Sequence, residues 1–110
     1  MKEIEFKVAR ACELSRADAL IEKVCAGCGL VVAMKASPAK YPGCTHWHFQ
    51  RPKHRGTLEL TLHRAERRIW AKVQEGRKAP WIDEELPALR RAIERGLKQA
   101  RSRPVDSRRR

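Results

Sequence analysis

All four histidines in this chain fall within eighteen residues, 46–63, and three of them, His46, His48 and His63, lie on predicted strands with Glu59 among them. Imidazoles titrate near neutral pH. Beside a carboxylate they support either general acid–base catalysis or capture of a metal ion by two nitrogens and an oxygen. On a strand, His46 and His48 project in parallel from positions about 6 to 7 Å apart, and a neighbouring strand through 57–63 brings Glu59 or His63 alongside. His46, His48, Glu59 and His63 are therefore the catalytic candidates for metal-dependent or histidine-based cleavage of a nucleic acid, with Lys72 placed to steady a phosphate. The same histidines also serve a plain binding surface, where they stack or hydrogen-bond without turnover.

A second set of chemistry-bearing residues is Cys25-Ala-Gly-Cys28, a C-x-x-C pair followed after fifteen residues by Cys44 and then His46. Cys25, Cys28, Cys44 and His46 would make a tetrahedral zinc set by spacing. Sidedness works against it. On a strand Cys44, His46 and His48 share one face, whereas Cys25 and Cys28 complete the apolar stripe of a helix. The favoured expectation is that Cys12, Cys25 and Cys28 are small buried hydrophobes, reduced thiols of a cytoplasmic protein. No cofactor is favoured, and zinc is the alternative.

The elements that must position these residues follow from periodicity. Ile4, Phe6 and Val8 alternate with charges and predict a strand over 3–9. Ser15-Arg-Ala-Asp18 reads as a capped helix start, and Ala17, Leu20, Ile21, Val24, Cys25 and Cys28 give a helix over 15–27 one dry face, with Gly27 and Gly29 as its stop. The run Leu30 to Ala36 predicts a strand. So do Thr45 to Arg51, Thr57 to His63 and Arg68 to Gln74, which alternate cleanly and read as a meander. A second helix opens on the acidic turn after Trp81, with Pro87 tolerable only near its start and Leu86, Leu89, Ile93, Leu97 and Ala100 as its apolar stripe. The order β-α-β-β-β-β-α predicts an α+β two-layer sandwich, a mostly antiparallel twisted sheet with both helices on one face. Residues 1–100 form the single domain, and 101–110, with five arginines, a basic tail.

This arrangement sends Trp47, Phe49, Leu58, Leu60, Leu62, Ile69, Ala71 and Val73 under the helices. The opposite face then presents His46, His48, Glu59, Thr61, His63, Trp70 and Lys72 to water. Trp47 and Phe49 are expected in the core beneath the second helix.

Leu, Ile, Val and Phe make up about a fifth of the 110 residues, the fraction near which charged chains stop folding, so the patterning and not the composition argues for order. No apolar run approaches the roughly 20 residues that cross a bilayer, and the alternating charges at the N-terminus are unlike a secretion signal. Neither a membrane partner nor export is expected. The formal net charge is +12, from 25 basic and 13 acidic residues. Basic clusters occur at Arg51-Pro-Lys53-His54-Arg55, Arg64 to Arg68, Arg77-Lys78 and along the outer side of the last helix, and two of them fall in hairpin turns flanking the open face.

Residues 17–63 resemble, in element order, the double-stranded-RNA-binding-like fold of small toxin ribonucleases of the HicA type. The resemblance is carried by Gly43-Cys44-Thr45-His46, a histidine near the start of a strand. The chain departs from that pattern by a strand before the first helix, an extra meander strand and a longer segment after the hairpin. The resemblance implies a catalytic base at His46.

The reading that unites these observations is a small cytoplasmic nucleic-acid-binding domain, RNA favoured over DNA. Arg51, Lys53, Arg55, Arg67, Arg68, Lys72 and Arg77 supply charge, and Trp70 stacks a base. Two alternatives use the same face: a nuclease centred on the histidines, and a protein-interaction module in which two copies bury their open faces as a homodimer around Trp70.

Overall fold

The alternating segments of the chain become neighbouring strands of one five-stranded antiparallel sheet. In the computed structural model, which describes residues 2–40 and 42–99, the elements are β1 (Lys2–Glu5), α1 (Ala17–Gly27), β2 (Val31–Ala36), β3 (Cys44–Gln50), β4 (Leu58–His63), β5 (Arg68–Val73), a 3₁₀ turn (Glu75–Arg77) and α2 (Pro80–Gln99). The sheet order is β1-β5-β4-β3-β2. This is the expected α+β architecture; the basic segment expected over 101–110 lies outside the described residues. Among them, no helix is long and apolar enough to cross a membrane.

The period of two decides which side each residue takes. Trp47, Phe49, Leu58, Leu60, Leu62, Ile69, Ala71 and Val73 are all buried, in one cluster with Ile21 and Cys25 of α1 and Leu86, Leu89, Ile93 and Leu97 of α2. Full burial of one such aliphatic side chain stabilises by about 1.5 to 3 kcal/mol, so this layer outweighs any surface ion pair in holding the helices down. Trp47 is also tied to α1: its indole Nε1 donates to Glu22 at 2.9 Å. Lys35, opposite Trp47 on β2, reaches the same carboxylate at 2.6 Å.

The end of α1 follows the glycine signal. Gly29 takes φ +82°, and the N–H groups of Gly29 and Leu30 return to the carbonyls of Ala26 and Cys25, the Schellman arrangement. Its start departs from expectation. The helix begins at Ala17 with Arg16 at the cap position and no side-chain cap bond, while the backbone N–H of Ser15 donates to Glu13. Asp18 does not close a capping box; its carboxylate accepts from the Ala19 N–H and pairs with Arg64 at 3.4 Å.

Pro87 sits two turns into α2, further than expected, on a position exposed to water, where its ring leaves one helical carbonyl without an N–H donor. β1 is also shorter than the 3–9 pattern implies. One further bond, Phe6 N–H to the Ile69 carbonyl, extends the pairing, after which β5 has turned away.

The two sheet edges are blunted differently. β1 is four residues long and charged, with Lys2 paired to Asp83 at 3.0 Å. β2 exposes nearly half of Val31 and Val32, and its register slips between Val32 and Met34, which interrupts the ladder a neighbouring strand would read.

Candidate functional site on the open sheet face

The register builds the face row by row. Ala36, His46, Thr61 and Trp70 lie abreast across β2, β3, β4 and β5, ending against Glu5 of β1; the next row runs Met34, His48, Glu59, Lys72 and Glu3. Residues abreast in an antiparallel sheet share a face with Cβ atoms about 4.5 to 5.5 Å apart. Three of the four catalytic candidates are thereby drawn together. Nε2 of His46 lies 3.5 Å from Oε1 of Glu59, Nε2 of His48 lies 3.9 Å from Oε2, and the donor atoms of all three residues fall within 4.8 Å of one another. The two imidazoles meet edge to face, with centroids 5.1 Å apart.

Glu59 is the buried member, 4% exposed, and its burial is compensated. Oε2 accepts from Gln74 Nε2 at 2.9 Å and faces Arg77 Nη1 at 3.5 Å. His46 is fixed from behind by Thr61, whose Oγ1 lies 2.8 Å from Nδ1. Burial, reinforced by the neighbouring His48 and Lys72 and opposed by Glu59, holds the His46 pKa below the ordinary histidine value. The neutral ring that follows is the form that accepts a proton or donates a lone pair.

His63, the fourth candidate, stands apart. It pairs across from Cys44 at the far end of the strands, and its Nδ1 accepts the Glu66 N–H at 3.4 Å. Next to the cluster, Pro38, Cys44, His46, Thr61, His63, Glu66 and Trp70 line a cavity of about 550 Å³. Trp70 is half-buried there, with the Arg68 guanidinium 4.7 Å from its ring centroid.

The predicted cationic residues divide by what already holds them. Arg67, at φ +55°, spends one nitrogen on three carbonyls, those of Ala9, Arg10 and Cys12, at 2.7 to 3.1 Å. It ties down the loop between β1 and α1. Arg68 grips Glu5 through two nitrogens at 3.0 and 2.9 Å. Arg77 is committed to Glu59. Arg51, Lys53, Arg55 and Lys72 have no side-chain ion pair among the described residues, and the first three occupy the β3–β4 turn at the Glu59 end of the face.

The four-residue zinc set is not assembled. Cys25 is sealed in the helical core while Cys44 lines the cavity on the opposite face, and among the described residues only His46, His48 and Glu59 form a metal-competent group. Burial pushes the Cys25 thiol up to about 12, and raises Cys28 and Cys44 as well, so none is poised as a thiolate.

Two supporting residues went unnamed among the predicted site residues. Gln74 directly follows β5, two past Lys72 and in the same outward phase, a signal present in the alternation. Thr61 lies between Glu59 and His63 on β4. A separate basic groove, about 630 Å³, is lined by Lys7, Arg91, Arg95 and Lys98 together with Val8, Ala9, Cys12 and Glu94; it needs the loop after β1 to fold against α2, which no local pattern announces.

No known family matches this chain, and neither a curated protein nor a solved structure does. The likeness to toxin ribonucleases of the HicA type therefore remains one of element order.

Proposed function

We propose that this chain binds single-stranded nucleic acid, RNA in preference to DNA, along the open face of its sheet. The observation that carries the reading is the lane formed by the Trp70 cavity, the His46–His48 pair and Lys72, with Arg51, Lys53 and Arg55 at its end. An aromatic for a base and unpaired cations for phosphates, on an exposed sheet, are the parts that sequence-tolerant strand binding uses. Both helices are spent on the other face, which argues against a helix laid in a major groove. Free, unpaired thiols among the described residues suit a cytoplasmic setting.

The test is binding of a fluorescent single-stranded RNA across a salt series. If about five phosphates are engaged, affinity falls with a logarithmic slope of roughly −3 to −4. A slope near zero, or equal affinity after Lys53→Glu with Arg55→Glu, refutes the proposal.

A second reading is favoured by the convergence of His46, His48 and Glu59: cleavage of the bound strand. Two imidazoles 5.1 Å apart can serve as base and acid on one phosphodiester. Under this reading His46→Ala or His48→Ala abolishes cleavage and leaves binding largely intact. An intact strand after prolonged incubation, with and without divalent ions, eliminates it.

A further inference from the structure

The spacing inside the histidine–glutamate cluster is informative. A charged hydrogen bond from imidazole to carboxylate closes to about 2.7 to 2.9 Å. Here the two approaches are 3.5 Å to Oε1 and 3.9 Å to Oε2, too long for such bonds, and one donor atom from each of the three residues lies within 4.8 Å of the other two. Donors around a tetrahedral ion with bonds near 2.1 Å stand about 3.4 Å apart. The donors here, within 4.8 Å of one another, stand close to that spacing.

We propose that Nε2 of His46, Nε2 of His48 and the Glu59 carboxylate are the three protein ligands of a zinc site whose remaining coordination position faces the solvent side of the sheet. The proposal stands on these donors alone, whether or not the face engages RNA.

Three features support it. First, the outer contacts are those a metal ligand needs. Thr61 engages the far nitrogen of His46, turning Nε2 inward, and Gln74 with Arg77 hold Oε2 of Glu59, leaving Oε1 to face His46. Second, two imidazoles and one carboxylate suit zinc, whereas magnesium and calcium take oxygen. Third, the ligands sit on adjacent rigid strands, and His46 and His48 are each about a quarter exposed, enough for an ion and a small fourth ligand to enter. Three protein ligands with one open position is the arrangement of a reactive zinc, not of a closed structural one. Arg77 and Lys72 nearby oppose the added positive charge, so the site should bind less tightly than an all-cysteine zinc centre.

The experiment is a titration of the metal-stripped full chain with Co²⁺ followed by absorption, then displacement by Zn²⁺. The expected result is the intense visible band of a four- or five-coordinate ion, displaced by one equivalent of zinc. His48→Ala should weaken zinc at least a hundredfold while circular dichroism stays native, and Cys28→Ser should leave it unchanged. Because Glu59 is buried and its variant can misfold, His48, about a quarter exposed, is the deciding position.

Failure of the folded wild-type chain to take zinc at a hundred micromolar overturns the proposal. So does undiminished binding by His48→Ala, loss in Cys28→Ser, or a site that takes iron(II) and rejects zinc. An RNA titration on the same preparation separates the two readings: zinc without RNA affinity refutes the binding face alone, and RNA without zinc refutes the metal site alone.

Discussion

The indole of Trp47 and the carboxylate of Glu22 meet at 2.9 Å, across the seam between β3 and α1. One hydrogen bond thus satisfies the polar atom of the largest fully buried side chain in the layer and ties the helix to the strand carrying both cluster histidines. With Trp47 held under α1, alternation obliges His46 and His48 to point away from it.

The same pair makes stability respond to acid. Hydrogen bonds from Lys35 and Trp47 hold the Glu22 pKa below its ordinary carboxylate value. A carboxyl group lowered in the folded state contributes fully above its unfolded pKa, about 4.3, and loses that contribution as pH falls through the folded value. Glu22→Gln should therefore flatten the decline in the urea midpoint between about pH 5 and pH 3. An unchanged acid profile would show that the pair is energetically idle.

Arg67 and Lys53 should behave oppositely. Arg67→Gln strips three carbonyls of their common donor and should destabilise by about 1 to 3 kcal/mol, read from the denaturant midpoint. Lys53→Gln touches no partner among the described residues and should change stability by less than about 0.5 kcal/mol. A drop in RNA affinity confined to the lysine variant separates the binding role from the structural one.

Trp70→Ala should cost RNA binding about 1 to 3 kcal/mol, roughly five- to 150-fold, if its ring stacks a base. An incoming base must displace or sandwich the Arg68 guanidinium at 4.7 Å. Releasing that guanidinium with Glu5→Gln should then alter affinity too. Fluorescence quenching of Trp70 on titration checks both, and a silent Trp70 argues for a phosphate-only mode.

Gly56 closes the β3–β4 turn at φ +100°, where an added Cβ would lie 2.6 Å from Ala79 Cβ and 3.1 Å from the Arg77 carbonyl. Gly56→Ala should cost about 1 to 3 kcal/mol, since backbone strain and contact act together. A neutral thermal midpoint would mean that the turn can shift away from the 77–82 segment.

Cys25, with its thiol pushed up to about 12 by burial, should resist alkylation in the native protein and react at once in denaturant. Peptide mass mapping reads this directly, and rapid native labelling of Cys25 would contradict the packing of α1.

Much of this architecture was legible in the sequence because Leu58, Leu60 and Leu62 leave no doubt about phase. Once β4 has an inside, Glu59 has an outside, and the hairpin carries His46 and His48 to meet it. The parts that were not legible depend on distant partners. Nothing near Arg67 shows that carbonyls at 9, 10 and 12 will claim its guanidinium. Ser15 has the right type for a helix cap, yet the loop before it folds so that Glu13 takes its N–H. The edge on which β1 docks is set by β5, more than sixty residues away, where short-range alternation carries no information. His63 matched His46 and His48 in type and phase, but strand length put it too far along to join them.

The pairing of Lys2 with Val73 has a kinetic meaning. The antiparallel β2–β5 array, which contains the whole histidine–glutamate cluster, closes only short loops, whereas β1 must find its place across some seventy residues of intervening chain. Contacts that far apart pay their entropy before any reward. The cluster should therefore take shape while the first strand is still unattached, and hydrogen exchange during refolding should protect His48 and Glu59 amides ahead of Ile4.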